Sequence, residues 1–554
     1  MKDKSSNSKS NFIAQAGILA AAGIISRIIG LLYTSPLTAV VGELGLGFYQ
    51  SAYGFYTIVL LISSYSIPAA ISKVIAGKLA VKEYRNAHRL FYGALGYVLI
   101  VGGVASLFLF FGAGLFVEES AVPVLRTFAP TIFVYGILGV LRGYFQAHKS
   151  MAQTSVSQIL EQIANALVSV GGAVFLIRIA MGTTEMPADE AGQIQRATYG
   201  AIGGALGTGS GVLVGLLFML GMYFLNRRMI LGRVARDRHS EVDSYGTIFR
   251  NITMVVTPFI LSTAVYNLSM AANNYIYNKT LPALRDLDSV ERYFNWGIFS
   301  GQSMKVSNIP IAFATAMATA MLPAVAQLTA AGDIRGAKEK IGMAVKTTMI
   351  ISIPCAAGLF ALAKPVMYFL FPRSDEVVTL AAKLLMVLSV SVIFYALSTL
   401  SSQILQGLGK LNAPIINAAV ALVIQTVAAL LLLLYTDLDL YSMAIVNTLY
   451  AGIMCLLNQI SVRRAIGYKQ EMVHTFLIPV ISSVVMGAAA WAIYEGLYLL
   501  SGSMRLSLIP AVVIAVIVYF VMMLLLRGVT EQELTAMPKG RLLVRAAKKC
   551  GLMK

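Results

Sequence analysis

Residues 198–226 read TYGAIGGALGTGSGVLVGLLFMLGMYFLN, 29 positions without a charged side chain, and residues 227–238 that follow read RRMILGRVARDR. A helix that crosses a bilayer needs about 20 consecutive apolar residues, because it rises about 1.5 Å per residue through about 30 Å of hydrocarbon. The first stretch satisfies that length. The second ends it with Arg227, Arg228, Arg233, Arg236 and Arg238. Working outward from this pair, apolar runs separated by short charged links recur to both ends of the chain. Of 554 residues, 58% are hydrophobic and 12% charged, and the mean hydropathy is +0.76. No interval between runs is long enough for a soluble domain. The β-barrel alternative would need alternating ten-residue segments, roughly, and these continuous runs do not alternate.

The runs predict fourteen spanning helices, at 12–41, 48–72, 89–112, 122–146, 152–180, 198–226, 250–278, 293–326, 341–363, 377–405, 413–435, 442–462, 473–500 and 507–527. The first follows Lys2, Lys4 and Lys9 and resembles a signal peptide, but it runs on to Val41, too long for a cleaved segment, and reads as a retained helix. With the N-terminus inside, the inner segments hold 26 Lys and Arg against 10 acids, and the outer ones 7 against 13. That asymmetry satisfies the positive-inside rule. It predicts a multi-pass bacterial plasma-membrane protein with both termini cytoplasmic. The net charge of +18 then reflects topology and attraction to anionic membrane lipids, not nucleic acid. Cys355, Cys455 and Cys550 form no CxxC pair, so neither disulfides nor a metal centre are expected.

An internal repeat sets the architecture. Pro68 opens PAAISKVIAGKLAVKEYRNA near the end of span 2, and Pro323 opens PAVAQLTAAGDIRGA near the end of span 8, 255 residues on. GYFQAHKSM at the end of span 4 and QILQGLGKLN at the end of span 10 place Gln146 and Gln406 260 residues apart. Two features therefore recur six spans later. An even number makes the repeats parallel, related by an axis along the membrane normal. The expected fold is all-α, with two pseudo-symmetric six-helix lobes. Its parts are 1–248 (spans 1–6), 249–465 (spans 7–12), and 466–554 (spans 13–14 with a basic cytoplasmic tail).

Ionisable groups within spans cost about 2.5–3.5 kcal/mol at mid-membrane, so each requires a reason. Arg27 lies midway along span 1, with Thr34 and Thr38 on its face. Lys305 lies in span 8 and shares a face with Asn295 and Gln302. Gln158, Glu161, Gln162 and Asn165 form a polar stripe on span 5, and Asn267, Asn274 and Asn278 another on span 7. Two readings of the cations stand side by side. They are either bonded to buried carbonyls or to Glu161, or they line a cationic cavity suited to an anionic head group, with Glu161 as a cavity-lining partner to Arg27 or as a proton-coupling site. Arg126, Arg142, Arg178, Lys383 and Glu495 read as snorkelling residues near helix ends. GLGKLN lacks the spacing and hydroxyl of a P-loop, and the two helix-embedded acids do not form a pair, so an ATPase or a membrane glycan polymerase is disfavoured.

ISRIIGLLY (25–33), GFYQSAYGFY (47–56), IPAAISKVIA (67–76), LRGYFQAHKSMAQTSVSQILEQ (141–162) and IPIAFATAMATAMLPAVA (309–326) together resemble the stage V sporulation protein B type of polysaccharide exporter. That group is related to lipid II flippases and to multidrug-and-toxin exporters. The resemblance implies a flippase that moves a polyprenyl-diphosphate-linked saccharide from the inner to the outer leaflet by alternating access. It implies no enzymatic step, no cofactor beyond a coupling Na+ or H+, and action as a monomer. It implies Arg27 and Lys305 as substrate-binding cations, beside which the stripes at helical spacing give Thr34, Gln158, Glu161, Gln162, Asn165, Asn267, Asn274 and Gln302 as the expected cavity-lining polar groups. Tyr33 stands where those flippases carry a second arginine, and Asn273 where some carry an acid. The rival on the same fold is a drug/cation antiporter, which needs a carboxylate-led cavity.

Overall fold

A computed structural model describes residues 22–23, 25–65, 67–148, 150–183, 185–237, 242–284 and 288–529, with residues 531 and 544. The start of span 1 and most of the expected basic tail lie outside the described residues, as do the side chains of residues 255–267 and therefore Asn267. No strand occurs among the described residues. Eleven helical stretches there are long and apolar enough to cross a bilayer. They cover expected spans 2–6 and 9–14. Helices of 31 and 27 residues stand where spans 7 and 8 were expected.

We number the principal helices α1 (Thr34–Leu60), α2 (Ile67–Ala80), α3 (Tyr84–Phe111), α4 (Val122–Ala147), α5 (Met151–Met181), α6 (Glu190–Arg236) and α7 (Tyr245–Tyr275). They continue with α8 (Met304–Ala330), α9 (Ile334–Ala361), α10 (Asp375–Gly407), α11 (Asn412–Tyr435), α12 (Leu440–Ile466), α13 (Ile478–Ser501) and α14 (Met504–Leu525). Four π-helical segments interrupt the pattern, at Leu61–Tyr65, Ile276–Thr280, Gly297–Ser303 and Val473–Leu477.

The link expected at residues 42–47 shrinks to one residue. Gly42, at φ 75° and ψ 175°, breaks α1 in a conformation open essentially to glycine alone. The carbonyl of Val40, which the break strips of its helical partner, accepts from Arg196 Nη2 at 2.8 Å. Arg196 thus belongs to α6 and not to a loop. That helix begins eight residues earlier than expected, where the Asp189 carboxylate accepts from the Gly192 N–H at 2.9 Å as an N-cap, and it runs on through Arg236.

The chain divides into two compact units, one through Gly301 and one from Gln302. Contacts therefore group α7 and residues 289–301 with the first six spans, whereas the internal repeat grouped them with the second six. In the first unit α6 is the central post, packed by α5, α4 and α1, while α3 and α2 pack on α4. Close approach to α5 is possible because Gly203, Gly207, Gly211 and Gly215 recur every fourth residue along one face of α6. A Cβ on Gly207 would collide with the backbone and hydroxyl of Ser169, and one on Gly203 with the backbone of Ala173. Residues 289–296 press equally hard on α1, where Gly47 leaves room for the Tyr293 carbonyl. At the turn between α2 and α3, Lys78 Nζ lies 2.7 Å from Glu83 and 2.8 Å from Asp243. Bonds from Lys78 and Asn86 hold the Glu83 carboxyl below its ordinary value.

In the second unit α10 is the post, packed by α12, α8 and α9, with α11 on α12. The two C-terminal helices are part of it, since α13 packs on both α14 and α9. Pro354 has no N–H for the Ile350 carbonyl one turn back. Tyr519 Oη of α14 donates to that carbonyl instead, at 2.8 Å.

Candidate functional site

Span 1 and α5 run side by side in register. Gly30 faces the Gln162 amide oxygen, 3.9 Å from where a Cβ would sit, and the Asn165 amide donates to Tyr33 Oη at 3.5 Å. Three residues separate each pair on both helices, so Arg27, one turn before Gly30, lies level with Gln158–Gln162. Its side chain is exposed, and among the described residues no carboxylate pairs with it. Gln158, Glu161 and Gln162 are half-buried on the same wall.

Glu161 does not serve Arg27. Its carboxylate accepts from Arg142 Nη2 at 2.7 Å, and the same guanidinium donates to Ser157 Oγ from Nε at 3.2 Å and from Nη2 at 2.8 Å. Ser157 Oγ in turn points to the Gly215 carbonyl of α6 at 3.4 Å. Arg142 therefore does not snorkel, contrary to the reading from its place near a helix end. Its side chain is 5% exposed and ties three helices together. The physical reason is cost: two charges in low dielectric are tolerable only as a hydrogen-bonded pair, and Glu161 is the acid within reach. The sequence held a signal for this partnership, since Ser157 and Glu161 are one turn apart on α5 and face one way.

Several residues expected to line a cavity are instead packing groups. Thr34 is fully buried and donates to the Gly30 carbonyl at 2.8 Å. Asn165 is buried and accepts from Ser169 Oγ at 2.9 Å. Asn274 accepts from Ser51 Oγ at 3.0 Å and from Asn278 Nδ2 at 2.8 Å, and donates to the Ser51 carbonyl at 2.9 Å. Small polar residues are worth most where helices meet and an amide can find a partner, which places them inside rather than on the wall. In the second unit Gln302 is buried and Lys305 half-buried, and neither is without a partner. Ser303, between them, donates to the Ala381 carbonyl of α10 at 2.9 Å.

The accessible surface beside Glu161 has a second component that charge-based reading passed over. Tyr53 and Tyr135 lie within electrostatic reach of Glu161, as does the buried Tyr56. Tyr53 stacks on Tyr49 with ring centroids 5.8 Å apart, and Tyr65 stacks on Tyr135 at 6.5 Å. The wall of the first unit therefore presents one exposed guanidinium, half-buried amides, a neutralised carboxylate and exposed phenols. It can hold an anion and a polar, ring-bearing group together.

The family model for lipid II flippase MurJ matches residues 84–509. The lipid II flippase MurJ of Bacillus subtilis is 24% identical over 528 residues, covering 90% of this chain and 92% of that protein. Stage V sporulation protein B of the same organism is 23% identical, covering 97% and 100%. Among solved structures, an inward-facing multidrug resistance MATE family transporter of the MOP superfamily superposes with a TM-score of 0.65 at 16% identity, covering 82% of this chain and 98% of its own. Lipid II flippase MurJ in an inward closed conformation gives 0.62 at 16% identity, covering 91% and 97%. The two superpositions establish the fold, and the family match, which spans most of the sequence, establishes that this multi-pass membrane chain belongs to the lipid II flippase MurJ family.

Proposed function

We propose that this chain moves a polyprenyl-diphosphate-linked saccharide from the inner to the outer leaflet of a bacterial plasma membrane, with both termini cytoplasmic. The observation that carries the proposal is Arg27, a cation at span level with an exposed side chain and no carboxylate partner among the described residues. Such a group is costly unless it faces water and meets an anion. The diphosphate is the part of the substrate held by Arg27, with Lys305 of the second unit as a further candidate cation, while the prenyl chain remains in lipid. Transport proceeds by alternating access of the two units, without a chemical step on the substrate, by a chain acting as a monomer. An inside-negative potential favours outward movement of an anion by about 2.3 kcal/mol per charge per 100 mV, so neither ATP nor a bound cofactor is required. Coupling to Na+ or H+ adds to that drive where the potential is small. Anionic lipids hold the basic inner segments at the surface.

The drug/cation antiporter reading needs a free carboxylate in the wall, and Glu161 is committed to Arg142. Reconstituted protein tests the proposal directly. Wild type transfers a fluorescent polyprenyl-diphosphate saccharide between leaflets, Arg27→Ala does not, and Arg27→Lys retains partial activity. A folded Arg27→Ala protein with wild-type rates overturns it.

A further inference from the structure

The exposed phenols beside Glu161 are arranged by a local feature of the backbone. In a continuous α-helix, residues 53 and 65 would point about 120° apart, because twelve steps of 100° do not close on one face. The π-helical segment Leu61–Tyr65 inserts one extra residue into the turn. Tyr65 thereby takes the direction that residue 64 would otherwise hold, within about 20° of Tyr53. Tyr53, Thr57 and Tyr65 then share one face of the span. Tyr53 is 38% exposed and Tyr65 50%, whereas Ser63 and Ser64, which the insertion turns inward, are buried. Ser64 Oγ donates to the Ile132 carbonyl of α4 at 3.4 Å, which anchors the distorted turn.

Each exposed ring is held in a fixed plane. Tyr53 lies nearly parallel to Tyr49, at 9°, and meets the edge of Phe128 at 5.7 Å. Tyr65 lies nearly parallel to Tyr135, at 7°. Rings fixed before a ligand arrives forfeit little entropy on binding. The face is not a lipid-facing one. Tyr53 and Tyr135 sit within electrostatic reach of Glu161, which is 14% exposed and bound to Arg142. Polar groups at that depth face water or protein rather than hydrocarbon.

We infer that Tyr53 and Tyr65 form the stacking platform for the sugar rings of the transported lipid, with Tyr135 and Phe128 holding them in place. This rests on the proposed function and extends it from the diphosphate to the saccharide. Pyranose rings present C–H bonds with partial positive charge on one face, and the phenol ring presents a negative π-face to them. The phenol hydroxyl keeps a polar edge for the sugar hydroxyls. Stacking accepts any pyranose of suitable shape, so the platform selects saccharide over none, rather than one sugar over another.

Calorimetric titration of the full-length protein in detergent separates this platform from the anion site. The two probes are geranyl diphosphate and geranyl-diphosphate-linked N,N′-diacetylchitobiose. Wild type binds the glycosylated probe about tenfold more tightly than the bare one. Tyr53→Leu and Tyr65→Leu lose that gain while binding bare geranyl diphosphate within about twofold of wild type, and Tyr53→Phe and Tyr65→Phe keep it. Equal binding of both probes by wild type, or leucine variants that retain the preference, overturns the platform and leaves the anion site standing. Wild type that binds neither probe overturns both.

Discussion

Two clusters occupy corresponding places in the two halves of the sequence and solve one problem differently. Arg142 and Ser157 precede Ser402 and Asn417 by 260 residues each, the offset that separates Gln146 from Gln406. In the first unit, Arg142 of α4 binds Ser157 and Glu161 of α5 beside α6. In the second, Asn458 of α12 donates to Ser402 Oγ of α10 at 2.9 Å, and Asn417 of α11 donates to Asn458 Oδ1 at 2.9 Å and to Ser461 Oγ at 3.0 Å. Both clusters tie three consecutive spans together. One uses opposite charges and the other uses neutral amides and hydroxyls. The neutral version carries the same mechanical link without burying an ion, so the ionic version is not there for cohesion alone. It keeps the Glu161 carboxylate paired on the wall that also carries the exposed Arg27.

The largest effect that tests this contrast is removal of one ion. Arg142→Ala or Glu161→Ala leaves its partner buried and unpaired and costs about 3–5 kcal/mol of stability. The double replacement Arg142→Met with Glu161→Leu recovers most of that loss. Unfolding in detergent, followed by intrinsic fluorescence, measures both, and mild single variants would remove the distinction between the two clusters. A smaller effect follows from packing. Gly207→Ala forces α6 away from Ser169 and costs about 1–3 kcal/mol. Gly452→Ala on α12 meets only the Phe394 ring, at 3.9 Å, and is tolerated. Paired thermal melts of the two variants show whether close helix approach is confined to the first unit.

Smaller again is the loss at the neutral cluster. Asn458→Ala removes amide bonds between helices that average about 0.6 kcal/mol each in membranes, so its melting shift falls below those of the ionic variants. The least effect is a pH dependence outside the spans, at Glu471. Burial raises its pKa, but bonds from the backbone and side chains of His474 and Thr475 outweigh that and hold it at about 2. A depressed carboxylate stabilises the fold above its unfolded value, about 4.3, and the contribution fades as pH falls toward 2. Glu471→Gln therefore melts lower than wild type at neutral pH, and the difference narrows on acidification. The side chain is half exposed, so solvent screening keeps the shift small.

The hydrophobic runs, the charge asymmetry and the proline and glutamine pairs were legible because each is a property of consecutive residues. Boundaries moved where a single residue redirected the chain. Gly42 replaced a six-residue link, and Asp189 started α6 early. The candidate site was legible in part. Arg27 stood out because a charge within an apolar run has no local explanation. Glu161 stands out as part of a polar stripe on span 5, but its expected partner Arg27 gives way to Arg142, because span 1 and α4 are equally plausible neighbours of α5 until the helices are packed.

From the sequence alone followed an all-helical membrane protein, an internal repeat and a cation within its first span, since spanning length and desolvation cost act on each segment separately. Only the tertiary structure decided which charges neutralise each other and which remain available. It also decided which tyrosines share a face, because one extra residue in a π turn rotates everything beyond it. Pairing and direction depend on distances between segments, and a linear pattern does not contain them.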